Sequence, residues 1–294
     1  MISEFAAAKI NLALAVTGRR SDGYHLLDTL VTFADAGDRF DVRSAPDLSL
    51  EVTGPFAADL QDDASNLALL AAERLRAAAF GEDVAAPGAV LILEKALPVA
   101  SGIGGGSADA AAALRALNRL WGLDWPLERL ASLGLRLGAD IPMCLHGRPL
   151  RARGIGEDIG LLKGFPRLDL VLVNPGVAVS TATVFGALAG RFSPPLPVAA
   201  GLRGLDAAIT WLGAASNDLQ APAIAAAPVI GEALAALRQT DDCRLARMSG
   251  SGATCFGIYA DAESARAAAA SISAARQGWW VRSVATGPSG SQPT

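Results

Sequence analysis

Apolar and polar positions alternate along the first twenty residues. Residues 10, 12, 14 and 16 are Ile, Leu, Leu and Val, with small or polar residues between them. Because successive side chains of a strand point to opposite faces, this pattern predicts a half-buried strand, followed by a turn at residues 18–23. Residues 38–42 and 48–52 have the composition of further short strands. Several short strands at this spacing predict a mostly antiparallel sheet.

Helical spacing appears after residue 65. Ser65 and Asn66 predict a helix start, since either side chain can accept a hydrogen bond from a backbone N–H of the first turn. Residues 90–95 predict a strand by their length and β-branched content. Apolar positions then recur at helical spacing over residues 110–121, and Pro126 and Gly138 bracket another predicted helix.

The second half of the chain predicts the order strand, helix, strand, strand, helix, strand. These elements are expected at residues 168–173, 181–188, 244–248, 254–259, 261–276 and 279–284. The two middle strands form a hairpin around residues 249–252, and additional helices are expected between residues 191 and 228. This order is ferredoxin-like in outline.

Composition and net charge limit the functional classes to which this protein can belong. The 294 residues are 51% hydrophobic, with 18% charged residues and a net charge of -4. A nucleic-acid-binding protein normally has a basic surplus, so no nucleic-acid partner is expected. An anionic ligand must therefore be held locally, by backbone N–H groups or by a few placed cations.

The cysteine and histidine content and the length of the apolar runs argue against zinc-binding, disulfide-rich and membrane-spanning proteins. The three cysteines form no CxxC pair and there are only two histidines, so neither a zinc site nor a disulfide framework is expected. Residues 1–5 are not a basic segment followed by an apolar run, and no apolar stretch reaches the roughly 20 residues of a membrane span. We therefore expect a cytoplasmic protein with no membrane partner.

The most informative segment, called the glycine segment below, is residues 98–111, with the sequence Ser-Gly-Ile-Gly-Gly-Gly-Ser at 101–107; a predicted strand precedes it and a predicted helix follows. Glycines leave the backbone unobstructed, so successive N–H groups can point into one concavity, and the helix start adds its own unpaired N–H groups. The segment predicts an anion site, usually for phosphate. Asp109 would repel phosphate from the first helical turn, so the direction of its carboxylate is left open.

The glycine segment does not match the sequence patterns of well-known phosphate-binding loops. The chain has no Walker A sequence and lacks the H-R-D and D-F-G sequences of protein kinases. A dinucleotide-binding loop needs an acidic residue about 20 positions further on, at the end of a second strand; Asp124 has the distance but follows a helix. A flexible linker remains an alternative, which the flanking strand and helix disfavour.

Three stretches together resemble the GHMP kinases, a family named for galactokinase, homoserine kinase, mevalonate kinase and phosphomevalonate kinase. They are residues 8–12, 98–111 and 248–257. Residues 18–25, 138–142 and 174–177, with Thr181, resemble the branch of this family whose substrate carries cytidine diphosphate. The chain departs from that branch at Ala100, Ser101 and Ala108, where glycines or a serine are usual.

The resemblance implies a set of site residues. Lys9 and Asp140 match the catalytic residues that flank the acceptor hydroxyl. The positions that match the ATP-binding residues are Asn66, Lys95, Pro98, Val99, Ala100, Ser101, Gly102, Ile103, Gly104, Gly105, Gly106, Ser107 and Ala108. The positions that match the substrate-binding residues are Asn11, Tyr24, His25, Thr181 and Phe185. No set of metal-ligating residues is implied.

The resemblance also implies an α+β, two-lobed fold. We expect an N-terminal mixed α/β lobe with the glycine-rich phosphate loop at residues 1–155, a C-terminal ferredoxin-like lobe at 156–286 and a disordered tail at 287–294. The expected cofactors are ATP and Mg²⁺, and the expected state is a monomer or weak homodimer.

The implied reaction is transfer of a phosphoryl group from ATP to the 2-hydroxyl of a methylerythritol linked to cytidine diphosphate, in isoprenoid precursor biosynthesis. Another GHMP kinase, acting on mevalonate, homoserine or a sugar, is one alternative. A nucleotide-binding sensor without turnover and a nicotinamide-dependent oxidoreductase are two more.

Overall fold

The computed structural model describes residues 1–60, 65–81 and 87–287. These residues form two compact units that alternate along the chain. The first unit consists of Met1–Ala8, Gly37–Val99 and Gly104–Gly147, and the second of Lys9–Ala36, Ala100–Ile103 and the residues from Arg148 onward. The consecutive lobes 1–155 and 156–286 stay a prediction. The predicted tail lies outside the described residues, apart from Gly287.

Two long strands, β1 (Ile2–Arg19) and β2 (His25–Ala45), pair with each other and continue from one unit into the other. The prediction of a half-buried first strand was wrong, because residues 6–16 are buried on both faces. On the second face Ala13 and Ala15 are small and apolar, and the polar side chains of Lys9 and Asn11 are buried with hydrogen-bond partners. The strand expected at 38–42 is the end of β2.

In the first unit, helices accompany strands that include both an antiparallel and a parallel pair. Residues 39–45 of β2 pair antiparallel with β4 (Gly88–Glu94), and β3 (Leu48–Thr53) pairs with β4 in parallel. A short 3-10 helix covers Ala57–Asp59. The α-helices that the structure describes in this unit are α1 (Leu67–Phe80), α2 (Gly105–Leu120), α3 (Leu127–Leu135) and α4 (Ile141–His146).

Alanines allow α1 and α2 to pack closely. Ala71 and Ala72 of α1 and residues 110–113 of α2 are fully buried. Since the distance between two packed helices depends on the side chains at their contact, alanine permits a short one. This packing holds the start of α2, which contains Gly105 and Gly106 of the glycine segment.

In the second unit, residues 27–31 of β2 pair with β5 (Leu150–Gly154), and β5 pairs with β6 (Asp158–Leu161), both antiparallel. Four more helices follow in the chain before the predicted hairpin. They are α5 (Thr181–Gly186), α6 (Leu205–Gly213), α7 (Gln220–Ala226) and α8 (Val229–Arg238).

The ferredoxin-like order predicted for the second half is confirmed. Strands β7 (Asp169–Asn174), β8 (Leu245–Met248), β9 (Cys255–Tyr259) and β10 (Trp280–Ala285), with helix α9 (Ala262–Ala275), complete the chain. The four strands form an antiparallel sheet in the order β10-β7-β9-β8. Its inner face packs on α8 and α9 around Val173, Leu237 and Tyr259.

Two further findings concern cysteine and membranes. Cys144 and Cys255 are buried free thiols, whereas Cys243 is a free thiol that is only half-buried. No helix in residues 1–60, 65–81 and 87–287 is both long and apolar enough to cross a bilayer.

Candidate active site

The glycine segment connects β4 to α2, as its sequence predicts. Three of its residues have left-handed backbone conformations, with φ values of 50° at Ala100, 77° at Gly102 and 67° at Gly104. Glycine adopts this region without strain, whereas alanine rarely does. At position 100, where an alanine departs from the family pattern, the backbone therefore carries some strain.

The N-terminus of helix α2 offers an anion backbone N–H groups that are unpaired within the helix. Its N-terminal cap is Gly104, which has no side chain to accept a hydrogen bond from the first backbone N–H groups of the helix. Those N–H groups have no partner within the helix, and the helix dipole places partial positive charge beside them. The start of α2 can therefore donate several hydrogen bonds to a phosphate group.

Residues 101–103 are held by other parts of the second unit. A Cβ atom at Gly102 would lie 2.5 Å from the carbonyl oxygen of Gly252. The N–H of Thr254 donates to the carbonyl of Ser101 at 3.0 Å, and the N–H of Lys9 donates to the carbonyl of Ile103 at 2.9 Å. Residues 248–257, one of the three stretches that resemble the GHMP kinases, therefore contact the glycine segment and also form the turn between β8 and β9.

A buried polar cluster surrounds Lys9. Its ammonium donates to Oδ1 of Asn11 at 2.8 Å, and Nδ2 of Asn11 donates to Oγ1 of Thr29 at 2.9 Å. The N–H of Asn11 donates to Oγ of Ser249, which donates to the carbonyl of Gly102. The cluster thus joins a predicted catalytic residue and a predicted substrate-binding residue to the glycine segment, within one unit.

Asp140 lies at the start of α4, in the first unit. Its carbonyl accepts from the N–H of Cys144 at 3.1 Å, and its side chain makes no capping hydrogen bond to α4 in the part of the chain that the structure describes. Asp140 therefore does not act as a helix cap, which is the commonest structural use of an aspartate here.

Lys95 lies beneath the start of α2, between two carboxylates. Its ammonium is hydrogen-bonded to Asp38 and, at 2.8 Å, to Oδ2 of Asp109. All three side chains are buried. Oδ1 of Asp38 also accepts from the N–H groups of Ala96 and Leu97, which directly precede the glycine segment. The carboxylate of Asp109, whose direction the sequence left open, therefore points to Lys95.

Burial and attraction compete in this cluster. Burial raises the pKa of Asp109 to about 7, although the nearby Lys95 ammonium opposes the change. Burial alone would lower the pKa of Lys95, but attraction by Asp109 and Asp38 outweighs it and raises the pKa. Asp109 can therefore exchange its proton near neutral pH, while Lys95 stays charged.

Asn66 caps α1, as predicted, because its Oδ1 accepts from the N–H of Ala68 at 2.9 Å. The two predicted ATP-binding residues outside the glycine segment, Asn66 and Lys95, thus both have structural partners in the first unit. Contact of either with ATP stays a prediction.

The predicted substrate-binding residues of the second unit form two contacts. The rings of His25 and Phe185 have centroids 4.8 Å apart, and Tyr24 beside them is 58% exposed. The hydroxyls of Thr181 and Ser251 are hydrogen-bonded at 2.8 Å. Partial burial and the nearby Arg19 charge lower the pKa of His25, so its imidazole is neutral at pH 7.

Sequence reasoning missed Thr29 and Asp38. Thr29 shares a strand face with Val31 and Phe33, and a hydroxyl on an apolar face signals a buried polar group that needs a partner. Asp38 is a charged residue at a fully buried strand position, for which the sequence gives no comparable signal. The hydrogen-bond partners of both residues lie far away in the sequence. The pattern of neighbouring residues therefore could not predict either polar cluster.

Comparison with known sequences identifies two regions of this chain. Residues 66–148 match the family described as "GHMP kinases N terminal domain", and residues 202–276 match "GHMP kinases C terminal". The first match includes α2 and Asp140, and the second includes α8 and Ser249.

Individual proteins match over almost the whole chain. A 4-diphosphocytidyl-2-C-methyl-D-erythritol kinase of Parvibaculum lavamentivorans is 53% identical, over 97% of this chain and 98% of that protein. A crystal structure of 4-(cytidine 5'-diphospho)-2C-methyl-D-erythritol kinase aligns with a TM-score of 0.77 and 35% identity, covering 97% of this chain and 100% of the other. A homoserine kinase from Cytophaga hutchinsonii aligns over 98% of this chain and 94% of its own with a TM-score of 0.72, but its 17% identity shows the fold alone.

Proposed function

Since this chain belongs to the GHMP kinase family, we propose that it transfers the γ-phosphoryl group of ATP to the 2-hydroxyl of 4-diphosphocytidyl-2-C-methyl-D-erythritol. The products are the 2-phosphate and ADP, and the reaction belongs to isoprenoid precursor biosynthesis. The observation that carries this proposal is the 53% identity with a kinase of that name along nearly the full length of both chains.

Backbone N–H groups hold the phosphates of ATP in this proposal. Gly104, the N-terminal cap of α2, has no side chain that could pair with the first N–H groups of the helix. These N–H groups therefore donate to phosphate oxygens. Mg²⁺ would enter together with ATP, because this ion binds phosphate oxygens and retains several waters rather than needing a protein cage. It would supply charge neutralisation at the phosphates.

Lys9 and Asp140 are the proposed catalytic residues. Phosphoryl transfer has a loose transition state, so catalysis depends on placing the groups and neutralising charge. The Lys9 ammonium attracts the transferred phosphoryl group, while Asp140 orients the acceptor hydroxyl and accepts its proton. Asn11 holds Lys9 in place through the hydrogen bond to its Oδ1.

Aromatic side chains of the second unit bind the cytosine base. Tyr24 is exposed beside the touching rings of His25 and Phe185, and stacking of a base on an aromatic ring contributes about 1–3 kcal/mol. A neutral His25 can also hydrogen-bond to the edge of the base. Mevalonate, homoserine and sugars offer no base, which favours the cytidine-linked substrate over them.

A substrate comparison tests the proposal. The purified protein is given ATP and Mg²⁺ with the cytidine-linked erythritol, with mevalonate or with homoserine, and ADP release is measured. We expect release with the cytidine-linked compound only; release with another acceptor alone would refute the proposed substrate. Asp140→Asn should abolish turnover while ATP binding persists, whereas a nucleotide sensor would lose nothing measurable.

A further inference from the structure

The hydroxyl of Thr29 has a defined direction. Its Oγ1 lies 2.7 Å from the carbonyl oxygen of Ala13, which can only accept. A threonine hydroxyl has a single hydrogen, so that hydrogen is donated to Ala13. The lone pairs of Oγ1 therefore remain for Nδ2 of Asn11, which lies 2.9 Å away.

This direction decides how the Asn11 amide is oriented. Rotating the amide by half a turn would place its carbonyl oxygen against a threonine oxygen that has no hydrogen left to donate, and its NH₂ group against an ammonium. Nδ2 therefore faces Thr29, and Oδ1 faces the Lys9 ammonium at 2.8 Å. The backbone N–H of Asn11 is held separately, by Oγ of Ser249 at 3.1 Å.

Burial makes this arrangement hard to replace. Thr29 is 1% exposed, and Lys9 and Asn11 are each 3% exposed. Water has little access to substitute for a lost partner, and an unsatisfied buried polar group is unfavourable.

We propose that Thr29 is a positioning residue for phosphoryl transfer: its hydroxyl fixes the orientation of the Asn11 amide, and through that amide the position of the Lys9 ammonium. This inference rests on the proposed kinase function, in which Lys9 acts on the phosphoryl group. Thr29 itself contacts neither ATP nor the acceptor in this scheme.

Three substitutions on one strand test it kinetically. Thr29→Val keeps the shape and removes the hydroxyl, and we expect kcat to fall about tenfold to a hundredfold, with KM for ATP changed by less than about threefold. Thr29→Ser returns the hydroxyl and should restore most of kcat. Thr32→Val is the matched control, because Thr32 is a fully buried threonine of β2 whose hydroxyl has no hydrogen-bond partner among the described residues.

A double substitution separates positioning from a general structural effect. If Thr29 acts through Asn11, Thr29→Val should change kcat by less than about twofold once Asn11→Ala is present. Thermal unfolding of each variant reports whether it is folded. The inference is overturned if Thr29→Val keeps kcat within about twofold, if Thr32→Val loses as much, or if the Thr29→Val loss persists beside Asn11→Ala.

A measurement without substrate keeps this inference distinct from the proposed function. In NMR spectra of the free protein, the side-chain NH₂ of Asn11 should exchange slowly with solvent in the wild type and in Thr29→Ser, and at least about tenfold faster in Thr29→Val. Fast exchange in the wild type would overturn the inference even in an active enzyme. Absent turnover with slow exchange would instead refute the function and leave the orientation of Asn11 established.

Discussion

Two buried lysines, one in each unit, differ in the hydrogen bonds that hold them. The ammonium of Lys95 in the first unit lies between the carboxylates of Asp38 and Asp109, whereas the ammonium of Lys9 in the second unit donates to the amide oxygen of Asn11. The two carboxylates offset the charge of Lys95, while the hydrogen bond to Asn11 orients the ammonium of Lys9. We therefore expect Lys95 to support the structure and Lys9 to act on the substrate.

The two clusters also hold different parts of the glycine segment. Asp38 binds the N–H groups of residues 96 and 97, which lead into the segment, and Nζ of Lys95 lies 3.0 Å from where a Cβ atom of Gly105 would be. In the second unit, the N–H of Lys9 and the hydroxyl of Ser249 bind the carbonyls of residues 103 and 102. Each unit thus holds its own portion of the segment by buried polar contacts.

The largest expected effect is on stability, in the Lys95 cluster. Lys95→Met should lower the free energy of unfolding by about 3–5 kcal/mol, because it leaves two carboxylates buried without their cation. Denaturant unfolding measures the change. Arg43→Met is the control, since the Arg43–Glu51 pair is exposed at 3.7 Å and its loss should change stability by less than about 0.5 kcal/mol. Equal losses in the two variants would contradict a structural role for Lys95.

The next effect is on catalysis, in the Lys9 cluster. Lys9→Met should lower kcat by about a hundredfold to a thousandfold, the range seen when one group that stabilises transition-state charge is removed. Steady-state kinetics with saturating ATP measures it. Lys9→Met should lower the free energy of unfolding by less than Lys95→Met does. A larger loss of stability in Lys9→Met would contradict the different roles assigned to the two lysines.

The third effect is a pH dependence of stability, which is small at any one step because it is spread over about three pH units. The pKa of Asp109 is about 7 in the folded protein and near 3.9 in an unfolded chain, so between these values the folded state holds a proton that the unfolded state releases. Stability from this group is therefore greatest below about pH 4 and falls as pH rises toward 7, by at most about 1.4 kcal/mol per pH unit.

Asp109→Asn isolates this contribution. The variant cannot titrate at position 109, so the difference in unfolding free energy between it and the wild type should change between pH 4 and 7 and level off above 7. Denaturant unfolding at several pH values measures that difference. A constant difference across the window would show that Asp109 remains ionised throughout.

Much of the site was predictable because its signals are local. The strand, glycine segment and helix around residues 90–121 follow from composition and spacing, and the structure confirms them. The ferredoxin-like order of the second half was likewise predictable from strand and helix periods. The burial of both faces of β1 was not, because alternation along one strand does not reveal what covers its second face.

The amino-acid sequence by itself determined the position of several helices and strands, where glycine permits left-handed backbone, and which family the chain resembles, because each depends on residues close together in the chain. Only the tertiary structure decided that Asp38 and Asp109 share Lys95, and that Thr29 orients Asn11 toward Lys9. Those partners are as many as 57 residues apart, and their hydrogen bonds and charges take effect only when folding removes water from around them.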